Sequence, residues 1–136
     1  MKAKLIWPIF WALVGTFVLY IISMFLPPMR MGNVFVFPLL LYFVWVAFLV
    51  LGIIFLVITK KGKTRGVLRG FQFLMGASAV GLPLSGVLHN VLSALLNVEE
   101  PVFFMIAVFV CPIGLLVGAV GTILVNVRSK QVKQSA

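Results

Sequence analysis

A single histidine in an otherwise apolar stretch is the first residue whose chemistry stands out. His89 is the only histidine of the sequence, and Ser85, Asn90 and Ser93 lie within about one turn of it if the segment is helical. An imidazole titrates near neutral pH, and an ionisable group within a membrane is costly to bury, so such groups are functional candidates. These four residues form the candidate polar site of the chain.

Two neighbouring glutamates, Glu99 and Glu100, are the only acidic residues, and they follow His89 by about two to three helical turns. Placed at an external mouth, they would concentrate cations and open a proton or cation pathway towards His89. In the structural alternative, a neutral His89 hydrogen-bonds a serine hydroxyl or a backbone carbonyl of the next helix and holds a bundle together. We favour the structural interpretation and keep the pathway as the alternative.

The sequence contains no set of residues that predicts catalysis. Its single cysteine, Cys111, lies in an apolar run, so an intramolecular disulfide is excluded. One histidine without a second histidine or a nearby intramembrane carboxylate does not make a metal site, and haem ligation would need a second axial ligand. No nucleophile is paired with a base, so we expect no enzyme activity, no metal and no cofactor.

The elements that must position these residues are four uncharged, apolar stretches. Hydrophobic residues make up 63% of the chain and charged residues only 10%, whereas soluble domains carry about 25% charged residues. A helix of about 20 apolar residues spans a bilayer and satisfies its own backbone polar groups there. The sequence therefore predicts an all-α polytopic membrane protein, a single four-helix transmembrane domain over residues 1–136. Its spans are about 5–26, 34–59, 71–97 and 102–127, followed by a short basic tail at 128–136.

Positive charges are distributed unequally between the connectors, and this predicts the orientation. Of the eleven Lys and Arg residues, ten lie in the amino terminus, in the 60–69 connector or in the tail, and Arg30 alone lies elsewhere. Lys and Arg are retained on the cytoplasmic side during insertion. We therefore predict an up-down bundle with both termini in the cytoplasm, in the plasma (cytoplasmic) membrane.

The same basic residues account for the formal net charge of +9. They lie in short connectors between apolar runs rather than on a soluble face, which argues against nucleic acid as a partner. The connector between the second and third spans is instead expected to bind anionic lipid of the bilayer.

Small residues in the third and fourth spans predict which helices pack closely. In lipid, small side chains allow two helix backbones to approach each other. Pro83 and Pro112 lie inside these spans and predict a kink in each, since proline removes a backbone donor. Small and polar residues form a ridge along each of these spans, and the two ridges are expected to contact each other. The residues recur at every fourth position in the third span and at every third or fourth position in the fourth. The ridges consist of Ala77, Gly81, Ser85, His89 and Ser93 in the third span, and of Ala107, Cys111, Gly114, Gly118 and Gly121 in the fourth.

The amide side chains are expected to be structural. Gln72, Asn97 and Asn126 lie close to the ends of the predicted spans and are expected to reach the membrane interface. Asn90 lies deeper and is expected to hydrogen-bond across to the fourth helix.

Two functions are consistent with these patterns. The first is a small non-catalytic integral membrane protein, a structural or accessory subunit of a membrane assembly, either with other proteins or as a homo-oligomer. The absence of a catalytic set in the sequence favours it. The alternative is a small transporter or channel for protons, ions or a small solute, which would use His89 and the kinked third and fourth helices.

Overall fold

The computed structural model describes residues 2–25, 36–62, 66–99 and 101–135. These residues form four long helical rods, of which the fourth, residues 101–135, contains two α-helices joined by a π-helical turn. This confirms the predicted all-α bundle of four long apolar helices. The elements are α1 (Lys2–Phe25), α2 (Val36–Lys61), α3 (Val67–Leu96), α4 (Pro101–Met105), the π-helical turn Ile106–Val110 and α5 (Cys111–Ser135).

Each rod is long and apolar enough to cross a membrane by length and composition. The candidate spans overlap the four predicted stretches, but the helices extend beyond those stretches, most of all α3 and α5. α3 begins at Val67, four residues before the predicted start, and α5 continues to Ser135. The prediction stopped at charged residues, whereas a helix can carry charges on turns that lie outside the hydrocarbon core. The candidate spans are Leu5–Ser23, Tyr42–Lys61, Val67–Leu96 and Pro101–Val132.

α3 is the central helix and packs against α2 on one side and α5 on the other. Glycines make both contacts close. A β-carbon at Gly52 of α2 would lie 3.1 Å from the backbone nitrogen of Val80, and one at Gly118 of α5 would lie 2.7 Å from that of Met75. Any larger side chain would therefore push the backbones apart.

The glycine ridge of α5 contacts α3, and the face of α3 that it meets overlaps the predicted ridge only in part. Gly114 and Gly118 lie against Ser78 and Met75, whereas Ala77 is exposed. Gly81 does reach the contact, where its nearest neighbour is Cys111. A strict four-residue spacing drifts around a helix of 3.6 residues per turn, so the buried face instead follows mixed steps of three and four residues.

Aromatic packing attaches α1 to α2. Phe10, Phe48 and Phe55 are fully buried. The ring of Tyr20 meets that of Phe48 edge-on at 6.0 Å, and the rings of Phe10 and Phe55 are 6.5 Å apart. This layer holds α1 in the bundle through α2, while α2, α3 and α5 form the closely packed part.

The two prolines for which kinks were predicted have different surroundings. α3 runs as one helix through Pro83, which is buried. In the fourth rod the π-helical turn Ile106–Val110 ends just before Pro112. A proline ring clashes with the carbonyl four residues earlier in an α-helix, and a wider π turn relieves that clash. The predicted kinks remain predictions, but Pro112 accounts for the place of the π turn.

The end of the bundle where α2 ends and α3 begins is strongly basic. Lys60, Lys61 and Arg69 lie there, and Arg128 lies at the same end of α5. Arg69 donates a hydrogen bond from Nη2 to the carbonyl oxygen of Lys60 at 3.2 Å, which links the start of α3 to the end of α2. We call this the basic end.

The close contact at Gly118 can be tested by adding one methyl group. Gly118→Ala places a β-carbon against the Met75 backbone, so we expect a loss of about 1–3 kcal/mol in the free energy of unfolding. Gly70→Ala is the matched control, because nothing lies within 4 Å of a β-carbon there and alanine favours a helix by about 0.5–1 kcal/mol. Denaturation in detergent measures both. Equal stability of the two variants would contradict the packing.

Candidate functional site

The predicted polar site is only partly assembled. Ser85, His89 and Ser93 lie on one face of α3, with Ser85 buried and the other two half-buried. Asn90 is exposed, because the residue after His89 is rotated by about 100° around the helix. The structure therefore places three of the four residues on one face of α3, and the expected bond from Asn90 to the fourth helix stays a prediction.

His89 faces the fourth rod through an aromatic contact. Its ring centroid lies 5.4 Å from that of Phe104, with the ring planes tilted by 50°. Phe104 belongs to α4, immediately before the π-helical turn. The imidazole thus packs on an aromatic side chain where α3 meets α4, which is a contact expected of a residue that joins two helices.

The predicted acidic mouth is distant from His89. Glu99 is exposed in the connector that follows α3, and Glu100 lies outside the described residues. α3 ends at Leu96, seven residues beyond His89, which corresponds to about 10 Å of helix. Asn97 ends the helix in the left-handed conformation with φ 52°, a common terminating geometry. Within the described residues, no three His, Cys, Asp or Glu side chains are grouped as metal ligands.

An apolar groove separates the C-terminal half of α1 from α5. It has a volume of about 500 Å³ and is lined by residues between Val14 and Ile22 and between Leu115 and Ile123, with Met75 of α3 also in the lining. The volume falls within the range of ligand pockets, about 300–1,000 Å³. Its lining is almost entirely apolar, so it suits an apolar group such as a lipid chain or side chains of another helix.

Gly15 is a glycine in the middle of a helix whose face is exposed. Gly15 of α1 is exposed, and nothing lies within 4 Å of a β-carbon built on it. Trp11 and Leu19, one turn to either side, are 56% and 60% exposed. Gly15 was not among the contact residues predicted from the sequence, although its being the only glycine of the first span was a possible signal.

Three buried polar side chains lie towards the basic end. Thr59, Gln72 and Thr122 are at most 3% exposed. The prediction that Gln72 reaches the interface is wrong, because α3 begins five residues before it and its side chain is only 3% exposed. A threonine close to the end of a span gives no sequence signal of burial, so Thr59 and Thr122 were missed.

These features describe a small all-α protein with four candidate membrane spans, whose first helix makes fewer contacts with the bundle than the central helix does. Comparison with protein family models, curated proteins and solved structures gives no match. The function of the protein is therefore inferred from the geometry of the chain itself.

The role of His89 can be tested with two substitutions. His89→Ala removes the ring that packs on Phe104, so we expect a loss of about 1–2 kcal/mol in the free energy of unfolding. His89→Phe retains a ring and should lose less. Thermal unfolding in detergent measures the stability, and liposomes with a pH-sensitive dye measure proton flux. A flux in the wild-type protein that both variants abolish would overturn the structural role.

Proposed function

We propose that this protein is a non-catalytic integral membrane protein that serves as a structural or accessory subunit of a membrane assembly. Both termini lie in the cytoplasm and the protein resides in the plasma membrane. The positive-inside rule supports this orientation, since ten of eleven Lys and Arg residues belong to the termini and the 60–69 connector. The basic end then meets the anionic cytoplasmic leaflet.

Gly15 is the observation that carries the subunit role. Glycine is less favourable than alanine inside a helix by about 1 kcal/mol. At Gly52, Gly76, Gly114 and Gly118 the structure uses the missing side chain for close contact with another helix. At Gly15 there is no such contact among the described residues, so we expect this glycine to contact another molecule.

The exposed face around Gly15 suits a transmembrane helix of another subunit. Ala12 and Gly15 are small and exposed, which permits close backbone approach, and Trp11 and Leu19 provide large apolar surfaces beside them. The face continues into the groove, because Val18 is both exposed and part of the groove lining. A partner helix on this face would cover part of the groove with its own side chains.

A photo-crosslinking residue at position 19 tests this contact in native membranes. We expect irradiation to give one discrete adduct with a second membrane protein. Adding Gly15→Leu should reduce the adduct at least tenfold, because the leucine fills the space that the partner backbone requires. The unfolding midpoint of the Gly15→Leu variant should stay close to that of the wild type, since the leucine meets no neighbour within the chain.

Two controls make the result specific. Gly70→Leu is the same substitution at another open glycine and should leave the adduct unchanged. A crosslinking residue in place of the exposed Leu124 of α5 should give no discrete adduct. Absence of an adduct at position 19 overturns the proposal. An adduct with a second copy of this chain assigns the face to self-assembly and overturns the role as a subunit beside other proteins.

A further inference from the structure

The apolar groove between α1 and α5 continues towards the basic end past two polar side chains of α5. On α5 its lining runs from Leu115 to Ile123. Steps of three and four residues stay on one face of a helix. Three and seven residues beyond Ile123, these steps reach Asn126, which is half-buried, and Lys130, which is exposed. All four residues belong to the continuous helix α5, so one helix face joins an apolar groove to a polar end.

Of the two cations Arg128 and Lys130, only Lys130 lies on the groove side of α5. Seven residues turn a helix by about 700°, so Lys130 lies within about 20° of Ile123 around the helix. Arg128 is five residues beyond Ile123, which rotates it by about 140° from the same line. Arg128 therefore carries the same charge as Lys130 on the other side of the helix.

The spacing of these residues along α5 matches one leaflet of a bilayer. At about 1.5 Å per residue, the lining from Leu115 to Ile123 extends about 12 Å, and Asn126 and Lys130 lie about 5 Å and 11 Å beyond it. Half a bilayer consists of about 15 Å of hydrocarbon and about 5–7 Å of headgroup region. With Lys130 at the headgroups, Asn126 lies at the depth of the lipid esters and the groove at the depth of the acyl chains.

The groove itself requires an apolar occupant. α1 packs chiefly on α2, and α5 packs on α3, so α1 and α5 have little direct contact with each other. The groove between them has a volume of about 500 Å³, and every lining residue is apolar, including Met75 of α3. An empty space of this size would forfeit the dispersion contacts of its lining. An acyl chain of the surrounding lipid supplies those contacts.

We propose that this groove is a binding site for one anionic phospholipid, with an acyl chain between α1 and α5 and the phosphate at Lys130. A hydrogen bond from an ammonium to a phosphate is about twice as strong as one between neutral groups. The order of side chains along α5, from apolar to amide to ammonium, is also the order of acyl chain, ester and phosphate in the lipid. The bound lipid connects α1 to α5, which the chain itself leaves apart.

This lipid site does not depend on the partner proposed for the Gly15 face. Val14 and Phe17 of the groove lining are rotated from Gly15 by about 100° or more around α1. A partner helix on the Gly15 face would close the edge of the groove at Val18, while the acyl chain occupies the part between Phe17 and Ala119. The purified chain without a partner is sufficient to test the lipid site, so either proposal can fail while the other stands.

Native mass spectrometry of the full chain in detergent tests the headgroup. The probes are phosphatidylglycerol, which is anionic, and phosphatidylcholine of the same chain length, which is zwitterionic. We expect one phosphatidylglycerol per chain, bound about fivefold more tightly than phosphatidylcholine, the effect of about one lysine at a membrane surface. Lys130→Gln should remove this preference, whereas the control Arg128→Gln should retain most of it. Equal affinity for the two lipids, or equal losses in the two variants, overturns the proposal.

A phosphatidylglycerol with a photoreactive group near the end of one acyl chain tests the groove. We expect adducts on residues 14–22 and 115–123. Ala119→Phe fills the groove and should reduce these adducts at least fivefold, whereas Leu124→Phe adds an aromatic ring on the exposed side of α5 and should leave them unchanged. Val120→Trp replaces Ala119→Phe if that variant does not fold, since Val120 lines the groove and is 52% exposed. Adducts outside these ranges alone, or adducts that the filled groove does not reduce, overturn the proposal.

Discussion

Close backbone approach along the two sides of α3 is the constraint on which the rest of the structure depends. Gly52 and Gly76 define one contact, and Gly114 and Gly118 define the other. Association in lipid depends on dispersion and polar contacts rather than on expulsion of apolar groups from water, so the absence of side chains at these positions is what permits tight packing. The contacts also set the relative depth of every polar group on α2, α3 and α5.

The sequence was sufficient to predict where the helices lie, but not which face of each helix is buried or at which residues the helices end. Continuous hydropathy indicates where a helix lies, and all four predicted stretches are helical in the described ranges. The start of α3 was placed too late and the end of α5 too early, because the charged residues Arg69 and Arg128 were taken as boundaries although both lie within helices. Ala77 was placed on the contact because small size was the criterion, whereas the actual face includes the larger Met75 and Ser78.

In the candidate sites, too, features that depend on spacing within one helix were predictable, whereas features that depend on packing between helices were not. The common face of Ser85, His89 and Ser93 follows from helical spacing and was predicted from it. The burial of Gln72 depends on which segments of other helices lie beside it, and that register is decided by contacts between residues far apart in the chain. The sequence does not reveal those contacts, so it does not distinguish a glutamine at the membrane interface from a buried one.

The π-helical turn Ile106–Val110 has a consequence for the phase of the fourth rod. A π turn is equivalent to an α-helix that has received one additional residue. Every side chain before it, including Phe104 beside His89, is rotated relative to the continuation of α5 by about 100°, the angle of one residue. Removal of one residue from the turn would return the rod to a regular α-helix in which Phe104 still faces α3 and the glycine contacts of α5 keep their positions, because the deletion and the loss of the π turn change the phase by equal and opposite angles.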